Sequence, residues 1–214
     1  MDIKILYEDE YLLFALKPVG VLSESDSQNS VLTLLKDAVG KDVYPIHRLD
    51  RDVGGVMVFA KTAECAAALS SMVAKNLIEK RYMAVVCGTP EQSGIFEDLL
   101  FKDSSKNKTY VVKRKRKGVR EAKLEYQLKG TVKDGEKELS LVEIKLHTGR
   151  THQIRVQFSS RKMPVLGDGR YGGKCSKCHI ALRSYQISFE HPFKKEQICI
   201  KSDAPDEYPW NLFN

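Results

Sequence analysis

Seven short apolar runs, each closed by charges or turn residues, set the fold class of this chain: residues 3–7, 12–16, 56–60, 82–87, 123–128, 140–146 and 184–189. Runs of this length and composition read as strands. Many of the links between them are too short for the crossover helix that a parallel pair requires. Much of the sheet is therefore expected to be antiparallel, and the class to be α+β. Helical periodicity is clearest in two places. Ser30 is placed to cap a helix with apolar positions Val31, Leu32, Leu34, Leu35 and Ala38, and Thr62 to cap one running through Ala66, Leu69, Met72 and Val73. A third helix is expected at TGRTHQIRVQF, with Gly149 and Arg150 forming the turn and Thr151 as N-cap. That would put Ile154 and Phe158 on the core side with Arg155 between them, about one turn from the helix's positive end.

With 42% hydrophobic residues, the 214-residue chain has enough apolar material for a real core. No repeat, linker or composition shift marks a second domain, so residues 1–214 are expected to form one. The N-terminus, MDIKILYEDE, turns acidic where a signal peptide would need its apolar stretch, and no apolar run is long enough to cross a bilayer. Five cysteines at irregular spacings, without an export signal, point to reduced thiols and a cytoplasmic location. Charge is concentrated: of a net +7, residues 102–123 (KDSSKNKTYVVKRKRKGVREAK) carry ten basic and two acidic groups, and the rest of the chain sums to −1. Such a block is either a solvated loop or hairpin, or the electrostatic footprint of a polyanion binder.

Three motif matches fail on their context. GDGRYG at 167–172 fits a dinucleotide-binding pattern, but Pro164 leaves little room for a preceding strand, and GGKCSK does not open an amphipathic helix. CSKCH at 175–179 spells the attachment site for c-type haem, a chemistry of exported proteins. Cys175, Cys178 and His179 offer three zinc ligands where a structural site takes four, and no histidine is followed by the x-Glu of the zinc nucleobase deaminases. No metal is expected.

The remaining motifs form a set. KPVG at 17–20, HRLDRDVGGVMVFAKT at 47–62, EKRYMAVVCG at 79–88, LHTGRTHQIRVQFSSRKMPVLGDGRYG at 146–172 and HIALRSYQISFEHP at 179–192 together resemble the pseudouridine synthases of the large-subunit rRNA and tRNA type, in order, in spacing and over nearly the whole chain. The resemblance implies a catalytic domain built on a long, mostly antiparallel mixed sheet, with flanking helices and loops around a central RNA cleft. It also implies that the small RNA-binding domain often fused ahead of this one is missing. RNA, either rRNA or tRNA, is the expected partner. A monomer is expected, with no obligatory protein partner and no membrane association. Recognition would then fall to the catalytic domain and its insertions, which gives the basic insertion at about 102–123 a job.

The resemblance also assigns roles. Asp50 matches the catalytic aspartate, and a carboxylate suits glycosidic chemistry, whether it adds to sugar or base or abstracts a sugar proton. Beside a hydrophobic strand its pKa is expected to rise unless a cation holds it ionised, and Arg155 matches the family's cation. Tyr82 matches the tyrosine that stacks on the target base and is a candidate for removing the C5 proton. Leu182 matches the apolar residue on the base's other side, and Arg48 the residue that enters the RNA stack in the uridine's place. Isomerisation involves no net redox change or group transfer, so no cofactor is expected. Two departures stand out. Val53-Gly54-Gly55 replaces the common Thr-Ser-Gly, removing two hydroxyls and adding backbone freedom next to Asp50, and Leu124 stands where threonine is frequent. An RNA-binding or chaperone protein that retains the cleft is the competing reading.

Overall fold

The computed structural model describes residues 2–24 and 29–213. The described residues fall into two compact units, each assembled from separate parts of the chain: Met1–Lys80 with Arg183–Asp203, and Arg81–Leu182 with Ala204–Asn214.

In the first unit, β1 (Lys4–Glu8), β2 (Leu12–Lys17), β4 (Gly54–Ala60) and β10 (Leu182–Glu190) are neighbours in that order, with β3 (Tyr44–Pro45) on β4 and β11 (Gln197–Lys201) on β10. Pairing is antiparallel except where β10 runs parallel to β4, Arg183 facing Gly54 and Ser184 facing Gly55. All seven residues of β4 are buried, as expected for a strand covered on both faces. Leu12, Phe14, Val56, Val58, Cys65, Leu69, Ile187 and Phe189 form the core. Two helices carry the caps expected of them. Ser30 Oγ accepts from Thr33 N at the start of α1 (Val31–Val39), and Thr62 Oγ1 from Cys65 N at the start of α2 (Ala63–Ala74).

The second unit's strands stand in the order β5 (Glu79–Cys87), β9 (Lys137–Leu146), β8 (Val119–Asp134), β6 (Ser93–Asp103) and β7 (Lys108–Val112), antiparallel from β9 to β7, with a terminal 3-10 turn at Trp210–Phe213. Phe96, Tyr126 and Phe158 meet as a ring cluster in its core. Leu124 is fully buried between Phe96 on β6 and Leu146 on β9, so its departure from threonine serves packing.

All seven predicted strands are present, though β8 is far longer than its apolar run and β3, β6, β7 and β11 went unforeseen. One cap differs from expectation. The third helix, α3, spans Gln153–Ser160, and its N-cap is His152 in the left-handed region (φ 54°), with no side-chain cap bond, rather than Thr151. The Gln153 side chain takes the turn in hand instead: its Oε1 accepts from Arg150 N (3.0 Å) and Thr148 Oγ1 (2.8 Å), and its Nε2 donates to Lys123 O (3.1 Å). Ile154 and Phe158 are buried as expected, and so is Arg155 between them.

Candidate active site

In the first unit the chain from Leu49 to Val53 carries Asp50 and is held from several sides. Lys17, the lysine of KPVG, ends β2 opposite Gly55 and is 1% exposed. Its Nζ donates to three carbonyls: Pro18 O (3.0 Å), Arg51 O (2.9 Å) and Val53 O (2.8 Å). Gly20 N also donates to Arg51 O (2.9 Å), and Arg51 Nε returns to Gly20 O (3.1 Å). Upstream, Ser23 Oγ donates to Leu49 O (2.7 Å) and accepts from Leu49 N (3.0 Å). Downstream, Val53 N donates to Asp50 O (3.0 Å) and closes the turn.

The electrostatics of this loop follow from Lys17. Burial pushes its ammonium down to about 8, and the charges of Asp52 and Asp50 push the other way. Arg48 is exposed and Asp50 half-buried. His47 begins the stretch with Nε2 accepting from Val58 N (3.3 Å), and burial, with Lys80 behind it, drives its pKa down to about 3. It is a neutral ring that fixes the start of the loop.

The glycine pair is less slack than its composition implies. Gly55 sits at φ +123°, and a Cβ there would lie 2.2 Å from Ser184 O, so the parallel contact of β4 with β10 demands glycine. A Cβ on Gly54 would meet Lys17 O at 3.1 Å and the Val19 side chain at 3.2 Å. Backbone and the Val19 side chain crowd these positions, and Lys17 and Ser23 hold the loop on either side of Asp50.

The second unit carries Tyr82, Arg155 and Leu182, all buried. A closed ring of backbone bonds ties the segments of Tyr82 and Leu182 together: Val85 N to Ala181 O (2.9 Å), Ala181 N to Leu166 O (2.8 Å) and Leu166 N to Val85 O (2.9 Å). Tyr82 lies three residues before Val85 on β5, and Leu182 immediately follows Ala181. Arg81 beside Tyr82 pairs with Glu143 at 2.5 Å. Arg155 on α3 forms a bidentate pair with Asp168, Nε to Oδ2 at 2.6 Å and Nη2 to Oδ1 at 3.0 Å, and its guanidinium carbon stands 5.2 Å from the centre of the Tyr171 ring.

The basic stretch is β-structure. It runs from the end of β6 through β7 and a tight turn into β8, with Lys113–Lys117 exposed at that turn. Arg116 lies over the Phe101 ring and Lys115 pairs with Glu121, so part of this charge is held in place. Thr109 N donates to the Tyr171 hydroxyl (2.8 Å), Thr109 Oγ1 to Thr151 O (2.9 Å), and Arg170 Nη1 to Lys106 O (3.1 Å) and Asn107 O (2.8 Å). These bonds fasten the β6–β7 hairpin to the segments around α3. Among the described residues, no group of three or more histidine, cysteine or acidic side chains is arranged to hold a metal ion.

Lys17, Ser23, Arg51 and Asp168 had no assigned role in the sequence. KPVG signalled its lysine and HRLDR its second arginine, but their partners are distant in the chain. Asp168 lay inside a pattern read against nucleotide binding.

Known proteins resemble this chain in both sequence and fold. A family model described as RNA pseudouridylate synthase matches residues 11–160, which include Arg48, Asp50, Tyr82 and Arg155. A tRNA pseudouridine synthase C from Vibrio parahaemolyticus is 30% identical, the match covering 97% of this chain and 93% of that protein. A ribosomal large subunit pseudouridine synthase D from Zymomonas mobilis is also 30% identical, over 97% of this chain and 71% of that protein. The solved structure of human RNA pseudouridylate synthase domain containing 1 superposes with a TM-score of 0.81, covering 95% of this chain and 84% of that one at 19% identity.

Proposed function

Because this chain belongs to the RNA pseudouridylate synthase family and is an RNA pseudouridine synthase, we propose that Asp50 is its catalytic carboxylate and that Tyr82, Leu182, Arg48 and Arg155 complete the site. The observation that carries this reading is the dense set of bonds around residues 49–53, which spends a buried lysine on holding one half-buried carboxylate in a fixed loop.

The reaction breaks the N1–C1′ bond of uridine, turns the base, rejoins it through C5, and loses the C5 proton while N1 takes one up. Asp50 acts first, by adding to sugar or base or by taking a sugar proton. Arg155 is assigned as its cation by family resemblance, a guanidinium being suited geometrically to a carboxylate. Tyr82 and Leu182 grip the flipped uracil, and Arg48 enters the stack the uridine has left, offsetting part of an unstacking cost of a few kcal/mol. A phenol with pKa near ~10 is a weak base at neutral pH, so stacking is the firmer role of Tyr82 and proton removal needs help from its surroundings.

The substrate is structured RNA, tRNA or large-subunit rRNA as in the relatives' names, with the basic turn at 113–117 gripping phosphates. We read the enzyme as a cytoplasmic monomer that needs neither cofactor nor protein partner. None of its described helices is long and apolar enough to cross a membrane. Incubation with tRNA or rRNA tritiated at uridine C5 is expected to release tritium to water, and the absence of release from both would overturn the proposal.

A further inference from the structure

Gly167, at the head of GDGRYG, and Gly173, just after it, frame a loop around a single carboxylate. Gly167 N donates to Gly173 O (2.6 Å), Gly173 N to Asp168 O (2.8 Å) and Asp168 N to Val165 O (3.1 Å). Neither end of this loop has room for a side chain. A Cβ on Gly167 (φ +81°) would lie 2.0 Å from His179 O, and one on Gly173 1.9 Å from Val165 O. Inside, Asp168 is 0% exposed. Its Oδ1 accepts from Arg170 N (3.2 Å), Tyr171 N (3.3 Å) and Arg155 Nη2, and its Oδ2 from Arg155 Nε.

We propose that Asp168 is a positioning residue for the reaction, fixing the plane and direction of the Arg155 guanidinium. The inference rests on the reading of Arg155 as the cation that serves the catalytic carboxylate. A buried ion pair is a poor way to stabilise a core, because desolvating both charges costs much of what their attraction returns. Direction is what this pair supplies. Arg155 is gripped along its Nε–Nη2 edge, which turns the Nη1 edge the opposite way and removes the freedom of a long side chain. The loop that grips it is registered against Val85 and Ala181 through Leu166, the frame that also carries Tyr82 and Leu182. A cation indexed to the residues that hold the base keeps its geometry when RNA enters. The Tyr171 ring closes the remaining face, with its hydroxyl hydrogen-bonded to Thr109 N and to His152 Nδ1 (2.9 Å).

The test is a double-mutant cycle on tritium release, with RNA binding measured alongside. Asp168→Asn keeps the size and one acceptor. It is expected to lower kcat at least about tenfold while the Kd for RNA stays within about twofold, because a misdirected catalytic group costs rate rather than binding. Arg155→Lys alone should be similarly impaired, and adding Asp168→Asn to it should cost less than about threefold more. Losses that multiply, or a fully active Asp168→Asn, overturn the inference. If the Asn variant melts below the assay temperature, Asp168→Ser, which leaves space for water beside the guanidinium, takes its place in the cycle with the same expectations. An inactive wild type would sink the reaction proposal itself, whereas an active wild type with an active Asp168 variant sinks only this step.

Discussion

Asp50 is a residue whose neighbours do most of the work of placing it. Under the proposed assignment, Asp50→Asn removes the reacting carboxylate without changing shape, so turnover should vanish while RNA affinity stays within about twofold, since binding rests mainly on phosphate contacts. Filter binding beside tritium release checks this, and residual turnover near wild type would refute the assignment. Lys17→Met leaves the carbonyls of Pro18 and Val53 without this donor, while Arg51 O keeps Gly20 N. Unsatisfied buried groups cost about 1–3 kcal/mol each and are not additive, so a loss of about 2–4 kcal/mol in urea unfolding is expected. The kcat should fall only several-fold, because the Gly20, Ser23 and Val53 bonds remain. At this scale the sequence offers a candidate where a motif singles out a residue, as HRLD does for Asp50. It was silent where a role depends on partners: two of the three acceptors of Lys17 lie 34 and 36 residues away, and Asp168 is explained only once α3 folds beside it.

Among elements, the hairpins carry the next consequences. Replacing the charges of Lys113–Lys117 with neutral residues should weaken RNA binding and flatten its dependence on salt, each lost phosphate contact removing roughly 0.7–0.9 from the log–log slope. An unchanged affinity would reduce this turn to a solvated connection. A second junction, in the first unit, is held by Asp9 between β1 and β2. Asp9 Oδ1 accepts from Tyr11 N (2.8 Å) and Leu12 N (2.9 Å), and Oδ2 pairs with Lys194 at 2.8 Å beside buried His191. Burial pushes this carboxyl up, but Lys194 and the two backbone donors outweigh it and bring the pKa to about 2 from an ordinary 3.8. The folded form therefore holds a proton less tightly than the unfolded chain. Its stabilisation, on the order of 2 kcal/mol, is complete above about pH 4 and fades as pH falls toward 2. Unfolding followed from pH 5 to 2 should show a gap between wild type and Asp9→Asn that closes at the acid end; a constant gap would mean that the carboxylate charge is irrelevant.

The elements themselves were legible in proportion to their apolar content. β4 is buried throughout and announced itself, whereas β11 buries only Ile198 and β7 only Thr109. In β6 an acidic pair interrupts the period before a double leucine, and β3 is two residues long. The start of α3 was misread because a threonine before a helix is a strong cap signal, and here the Gln153 amide serves the turn instead.

For the whole molecule, the discontinuous build of both units was the part no local pattern could reveal. That β10 returns beside β4 is set by a glycine without room for a Cβ and by a parallel register, both tertiary facts. Mapping pseudouridine across total RNA from cells with and without this protein should show a small set of tRNA or rRNA positions that disappear together, and restoration by wild type but not by Asp50→Asn would tie them to this site. The same molecule should respond to ionic conditions in two separable ways. The charges at 113–117 face solvent, where salt screens them over about 8–10 Å. Lys17 instead behaves like a potassium ion tethered by its own side chain, coordinated by three carbonyl oxygens and sealed from the medium. A tethered ion is neither diluted, exchanged nor chelated, so buffers that loosen the enzyme's hold on RNA should leave the order of its Asp50 loop untouched.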